Sequence, residues 1–295
     1  FQEFKVLYTD ILFVLATCSL VFHVLNIIYP SLLDVFPIHY NEGGYPFRFC
    51  ILSVTTTPEF SLIRNWGIFR EPGVYIFYLN LGLVFELFSD RINFKKVICF
   101  LIAIVTTLST AGFIVAAGVI SSFLIFSKHA NRKQRWTFFT IILIGTIYVV
   151  TSGYFDSIYG MVFGKLFYEN DSTASRTGSF VTNINMWLQN FGTIILGQGY
   201  TFVENEFSKY QSLAIGGENN TNTVFKMLAV HGIVYTSIIY GLTYRFCAKK
   251  YGYLGYLILL FILMLQSNED LTVSFHTYLL AFYALEKSRF LVKNV

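Results

Sequence analysis

Residues 96–127 read KVICFLIAIVTTLSTAGFIVAAGVISSFLIFS, an apolar run whose only charge is Lys96. Whether this run folds back or continues decides the architecture. As one helix it would be about 48 Å long at a rise of 1.5 Å per residue. A bilayer's hydrocarbon core is only about 30 Å thick. A single span would also put the basic stretch before it (Arg91, Lys95, Lys96) and the one after it (Lys128, Arg132, Lys133, Arg135) on opposite sides. Lys and Arg favour the cytoplasmic side. Two short helices turning at Ser109-Thr110-Ala111-Gly112 satisfy both conditions. A turn at membrane depth has to be covered by protein or line a wet cavity, which makes it a candidate floor for a substrate cleft.

On either side of this run, further apolar runs lie at 11–29, 73–88, 136–152, 223–243, 253–267 and 272–287. Arg245, Lys249 and Lys250 form a third basic loop, and Lys287, Arg289 and Lys293 come after the last run. With Lys5 these clusters hold 14 of the 21 basic residues. If they face the cytoplasm, segments 31–72, 153–222 and 268–271 all face outward, and those segments carry most of the acids. The expected fold is all-α: a polytopic integral membrane protein of about eight transmembrane helices, with both ends inside and a large extracytoplasmic loop. The whole of 1–295 is read as one transmembrane domain.

Composition agrees. The chain is 55% hydrophobic, 19% aromatic and 13% charged, with mean hydropathy +0.57. Soluble domains carry about a quarter charged residues, so a water-soluble class is excluded on this reading. Cys18, Cys50, Cys99 and Cys247 are scattered without a CxxC pair, which reads as small buried hydrophobes rather than a disulfide or metal framework. Walker, GxSxG and HExxH motifs are absent.

Segment 31–72 is the first outer loop, expected to be ordered but irregular. All five prolines fall at 30–72, namely Pro30, Pro37, Pro46, Pro58 and Pro72. Segment 153–222 is too long for a bare connector. Within it Phe180, Ile184, Trp187, Leu188 and Phe191 have near-helical spacing, which predicts an amphipathic helix lying on the outer membrane surface over 180–195. Gly197, Gly199, Gly216 and Gly217 punctuate the remainder of the segment.

Several polar residues at these borders could carry chemistry. Arg64 and Arg70 stand just above an apolar run. They suit either a lipid-linked diphosphate, for which guanidinium offers forked donors, or anchorage at lipid headgroups. Arg176 sits in Asp171-Ser172-Thr173-Ala174-Ser175-Arg176 as a solvated loop charge or a leaving-group clamp. Asn222 and Lys226 are one helical turn apart and share a face. Lys226 lies inside an apolar run, where a charge is costly and often functional, or snorkels to the interface. Glu269 and Asp270 form an acidic pair between the last two runs, a base, a cation site or a solvated turn. His23, His231 and His276 read as packed residues.

Together these pieces resemble the O-antigen polymerase and O-antigen ligase superfamily over roughly 60–285. Arg64 to Gly73 looks like that family's R-x-x-G-x-x-x-E-P-G helix entry, and Thr107 to Gly112 like its T-x-S-x-x-G turn. Arg176, Trp187 and Leu196-Gly197-Gln198-Gly199 look like its long periplasmic loop. Thr221-Asn222, then Gly232 and Tyr235, look like H-N-x9-G-x-x-[GTY]. The chain departs from the pattern at Trp187, where the family spacing calls for Gly, and at Thr221, where ligases carry His. Thr cannot serve as a base near neutral pH, which favours polymerase over ligase.

The resemblance implies a membrane glycosyltransferase that polymerises undecaprenyl-diphosphate-linked oligosaccharide repeats on the outer face of the bacterial cytoplasmic membrane. It implies no cofactor, no metal and no nucleic acid. Its partners would be the lipid-linked glycan, the lipid bilayer, a chain-length regulator and a flippase. Arg176, Arg70 and Glu71 are the candidate catalytic residues. Arg64, Thr221, Asn222, Lys226, Gly232 and Tyr235 are the candidate substrate-binding residues. The general base is open among Glu71, Glu169 and Asp171. The alternatives are an O-antigen ligase, a flippase or transporter, and a non-catalytic scaffold. A chain starting at Phe1 with fewer helices than family members fits a missing N-terminal segment.

Overall fold

The computed structural model describes residues 1–40, 46–57, 63–69, 71–127, 136, 140, 171–211 and 220–285. The expected span at 136–152, the second basic loop, the C-terminal basic cluster, Arg70 and Glu169 lie outside the described residues, apart from the backbone of Trp136 and Thr140. The fold is mostly helical. It divides into two compact units, Phe1–Arg135 and Trp136–Val295.

The first unit is built on α1 (Gln2–Ile28), α2 (Pro72–Leu87), α3 (Phe94–Thr106) and α4 (Thr110–Phe126). Helix α2 is its centre: nearly every side chain is buried, and α1, α3 and α4 all pack on it. Pro72 opens α2 at a position where its missing N–H costs nothing. Run 96–127 is two helices, and the turn falls at Thr107–Ser109, slightly earlier than expected. Leu108 takes the left-handed conformation (φ 52°) that reverses the chain after a helix. Gly112 then lets α4 lie against Ile76 of α2, where a Cβ would come within 2.9 Å.

The segment expected as the first outer loop is more regular than anticipated. A 3-10 turn over Pro30–Val35 leads into an antiparallel sheet in the order β1 (Ile38–Tyr40), β2 (Pro46–Cys50), β3 (Ser53–Thr56). The signal was present in PFRFC and SVTT, aromatic and β-branched residues in alternation. Phe47 and Phe49 share one face with Val54 and Thr56, while Arg48 and Cys50 share the other with Ser53 and Thr55.

The second unit holds α5 (Asp171–Trp187), α6 (Phe191–Leu196), α7 (Tyr200–Gln211), α8 (Thr223–Tyr251), α9 (Leu254–Gln266) and α10 (Phe275–Ala284). Helix α8 is its spine, in contact with each of the other five. The helix expected over 180–195 is two helices instead. Asn190 forms a reciprocal capping box with Thr193, and the Thr193 hydroxyl donates to Trp187 O at 2.9 Å. An asparagine that can satisfy the next helix's first N–H groups is a better start than a continuation.

Helices α1 and α8 are long and apolar enough to cross a membrane, and their apolar windows are only 28% and 39% buried. The inward residues of α1 are Lys5, Thr9, Leu12, Ala16, Ser19, His23 and Asn26, alternating steps of three and four. Val6, Leu7, Ile11, Val14, Val21, Val24 and Ile27 point outward. In water the opposite arrangement is favoured, by about 25 cal/mol per Å² of apolar surface. The start of α1 at Gln2, earlier than the apolar run, has the same origin. Lys5 turns inward and Asp10 meets Lys96 at 2.7 Å, so charge does not end the helix. Helix α5 buries Ser179, Thr182 and Asn183 together with Met186.

Candidate functional site

Of the residues singled out by sequence, Arg64 and Glu71 belong to the first unit. Arg64 Nε donates to Thr107 O at 2.8 Å, and Asn65 N donates to Thr106 O at 2.9 Å. A guanidinium at the carbonyl end of α3 is favoured both by the hydrogen bond and by the helix dipole. The Thr107–Ser109 turn is therefore closed by protein groups, and Thr107 and Ser109 are buried. Asn65 is a hub that sequence reading passed over. Its amide donates to Ser19 Oγ at 3.2 Å and Thr106 Oγ1 at 3.0 Å, and its oxygen accepts from Gly67 N at 3.0 Å. Glu71 is the exposed residue before α2 and makes no side-chain cap.

The second unit brings together two stretches that are far apart in sequence. Helix α8 is broken at Gly232, whose φ of 72° and ψ of 177° are not helical. The turn Leu196-Gly197-Gln198-Gly199 sits in that break. Gln198 N donates to Ala229 O at 2.8 Å and Gly199 N to Val230 O at 2.9 Å. An interrupted helix in an apolar setting has to have its carbonyls answered by protein, and this turn answers two of them. The Gln198 side-chain amide meanwhile donates to Met186 O. A Cβ on Gly197 or on Gly232 would overlap the other segment's backbone, so both positions need glycine for space as well as for φ.

One turn beyond the start of α8 lies Lys226, which is 1% exposed. Its Nζ donates to Asp270 Oδ2 at 2.7 Å and to Glu204 Oε1. The Tyr200 ring lies 5.1 Å from it, within cation–π range. Lys226 therefore ties α7 and the α9–α10 loop to α8. It does not snorkel, and its charge is answered by two carboxylates rather than waiting for a ligand. A buried charge with its partners removed costs about 3–5 kcal/mol, which is why the ammonium and its acids come as a set.

The rest of the Thr221–Tyr235 stretch is in place around this cluster. Asn222 caps α8, its Oδ1 accepting from Phe225 N at 3.1 Å. Thr221 meets Ser179 of α5 through its backbone N at 3.1 Å. Thr223 Oγ1 donates to Glu269 O and accepts from Leu271 N at 2.8 Å, fixing the acidic loop against α8. Tyr235 packs its ring against His231 and is 40% exposed. Arg176 lies on α5, the helix that bears Ser179 and Asn183, and Asn183 exchanges hydrogen bonds of 3.0 Å with Asn220.

Beside the cluster an open cavity of about 490 Å³ is lined by Gln198, Gly199, Tyr200, Thr201, Phe202, Asn205 and Glu206. That volume is in the range of small-ligand sites, about 300–1,000 Å³. Under it Met186, Val203, Phe207, Ala229 and Val230 form a small apolar core with Trp187. Glu204 escaped sequence reading because nothing local marks it; its importance comes from Lys226, 22 positions on. Asp270 was visible as half of an acidic pair. No protein-family model, curated protein or solved structure matches this chain.

Proposed function

We propose that the chain is a multispanning membrane glycosyltransferase of the O-antigen polymerase kind. It would move a growing glycan from undecaprenyl diphosphate onto the non-reducing end of another lipid-linked repeat, outside the cytoplasmic membrane. The observation that carries the reading is the Leu196–Gly199 turn seated in the Gly232 break. The resemblance matches one stretch to the family's long loop and the other to its H-N-x9-G motif, and the two are in direct contact. The inverted polarity of α1 supports a lipid surround for the same chain.

In this reading Arg176 neutralises the diphosphate as it leaves, through charge-assisted bonds to its oxygens. Lys226 and Asn222 serve the site by holding its frame. The eight-span topology with basic loops inside rests on the positive-inside rule. The test is Arg176→Ala in cells: long-chain surface glycan should vanish while the protein still inserts. Glycan of normal length would remove Arg176 from the mechanism, and finished polymer stranded on the lipid carrier would point to a ligase.

A broken helix also occurs in transporters, where half-helix ends face the substrate. Here the Gln198 and Gly199 N–H groups occupy the carbonyls beside the break, which favours the transferase.

A further inference from the structure

The segment between α1 and α2 carries exposed apolar side chains that the transferase reading does not use. We propose that they are a lipid-facing anchor: the β2–β3 hairpin seats its Ile51-Leu52 turn among the acyl chains of the leaflet in which α1 ends. The proposal rests on α1 being a membrane span and not on the chemistry of the second unit.

Hydrogen bonds set the depth of the hairpin. Asn26 Nδ2, in the last turn of α1, donates to Thr56 O at 2.8 Å. Val54 N donates to Gly67 O, Gly67 N to Asn65 Oδ1 at 3.0 Å, and Asn65 Nδ2 to Ser19 Oγ at 3.2 Å. Strand β3 thus packs along α1, with Thr56 nearer the helix end and Val54 on the Ser19 side. Ser19 precedes the end of α1 at Ile28 by about 14 Å of helix, at a rise of 1.5 Å per residue. The turn lies further from Thr56 than Val54 does, so it sits beside the apolar helix and not past its end.

Polarity points to lipid as the occupant. A sheet with one face in water turns its polar side chains outward. Here Arg48, Ser53 and Thr55 are buried, while Phe49 is 54% and Ile51 79% exposed. Arg48 is the only charge within 46–57, and it turns inward to Asp34 Oδ1 at 2.6 Å. Tyr29, Leu32 and Val35, all exposed, carry the outward apolar face of α1 on towards β1. Aromatic side chains such as Tyr29 and Phe49 are favoured at a membrane border.

The turn has an unusual sequence for its geometry. Cys50 pairs with Ser53, which leaves Ile51 and Leu52 as a two-residue hairpin loop, a loop that favours Asn-Gly. Ile51 takes φ 56°, a region that β-branched residues avoid. In water Ile51 is unfavourable there twice over, by strain and by exposure. Lipid around its side chain removes the second cost and offsets the first.

The experiment reconstitutes the full chain in phosphatidylcholine vesicles, with and without bromine on the acyl chains near the headgroup. Bromine in contact with an indole quenches its fluorescence. Phe49→Trp keeps an aromatic ring and adds one emitter to the three native tryptophans. Its added emission should be blue-shifted and largely lost in brominated vesicles. Unquenched emission overturns the proposal, whether red-shifted in water or blue-shifted beneath a second copy or another protein. Should Phe49→Trp fail to fold, Leu52→Trp carries the same readout. A second variant tests the sign. Ile51→Asn combined with Leu52→Gly suits the turn, so it raises the unfolding temperature of a hairpin in water and lowers that of an inserted one. In nanodiscs the temperature should fall; an unchanged or raised value also overturns the anchor. A wild-type chain that does not float with vesicles sinks the membrane reading and the anchor with it. Flotation with unquenched Phe49→Trp emission breaks the anchor alone, and neither result depends on glycan synthesis.

Discussion

Lys96 in the first unit and Lys226 in the second face the same electrostatic problem and resolve it differently. Both are buried ammonium groups with two carboxylates in reach. Lys96 meets Asp10 at 2.7 Å and Glu86 at 3.8 Å, and donates to Thr9 Oγ1 at 3.0 Å. Glu86 is itself tied to Asn93 N at 2.7 Å. This set staples α1, α2 and α3 together, and the more exposed acid, Asp10, opens on its surroundings at 58% side-chain exposure. Around Lys226 the more exposed acid is Glu204, on the helix whose first turns line the cavity. One set staples three helices; the other ties a helix and a loop to α8 beside the Tyr200 ring.

This contrast is most open to refutation at the lysines. Lys226→Met should cost about 3–4 kcal/mol, since two carboxylates lose their shared partner. Lys96→Met should cost about 1–2 kcal/mol, because Asp10 can rehydrate and Glu86 keeps Asn93 N. Thermal unfolding in detergent measures both, and equal losses would erase the distinction between the two units.

Next come the glycines at close approaches. Gly232→Ala adds left-handed strain to an overlap with backbone, about 3 kcal/mol together. Gly67 of the first unit also has positive φ (61°), but a Cβ there would meet the Tyr75 ring at 2.9 Å. A ring can tilt where a backbone cannot, so Gly67→Ala should cost about 2 kcal/mol. Gly232→Ala should also expose the Gln198 and Gly199 amides to hydrogen exchange, while Gly67→Ala leaves them protected. Protection unchanged in both would mean the turn holds without the break.

The smallest effects should be alike in the two units. Asn222 caps α8 and Asn93 caps α3, each through its side-chain oxygen. Replacing either with Ala should cost about 1 kcal/mol, and Asp, which keeps the acceptor, should restore it. A far larger loss of glycan in Asn222→Ala than its stability explains would show that Asn222 also touches substrate.

Much of the helical layout was legible in the chain. Helix or strand type comes from local pattern, and the turn expected in run 96–127 from its length and flanking charges falls at Thr107–Ser109. The β-sheet between α1 and α2 was missed because five prolines argued for irregularity, yet Pro46 sits at a strand's first residue, where a missing N–H is tolerated. The split of the 180–195 helix turned on one asparagine.

Residue order was enough to show where apolar helices lie, that Gly197 and Gly199 punctuate the segment after 195, and that Lys226 is a charge in an expensive place. It took the folded chain to show that α8 breaks at Gly232 and that Gly197 sits in the break, that Lys226 is answered by Glu204 and Asp270, and that Arg64 caps α3. Local pattern is set within one helical turn and can be read along the chain. Which partner neutralises a buried charge, or fills a broken helix, depends on segments tens of residues away, and no spacing rule carries that far.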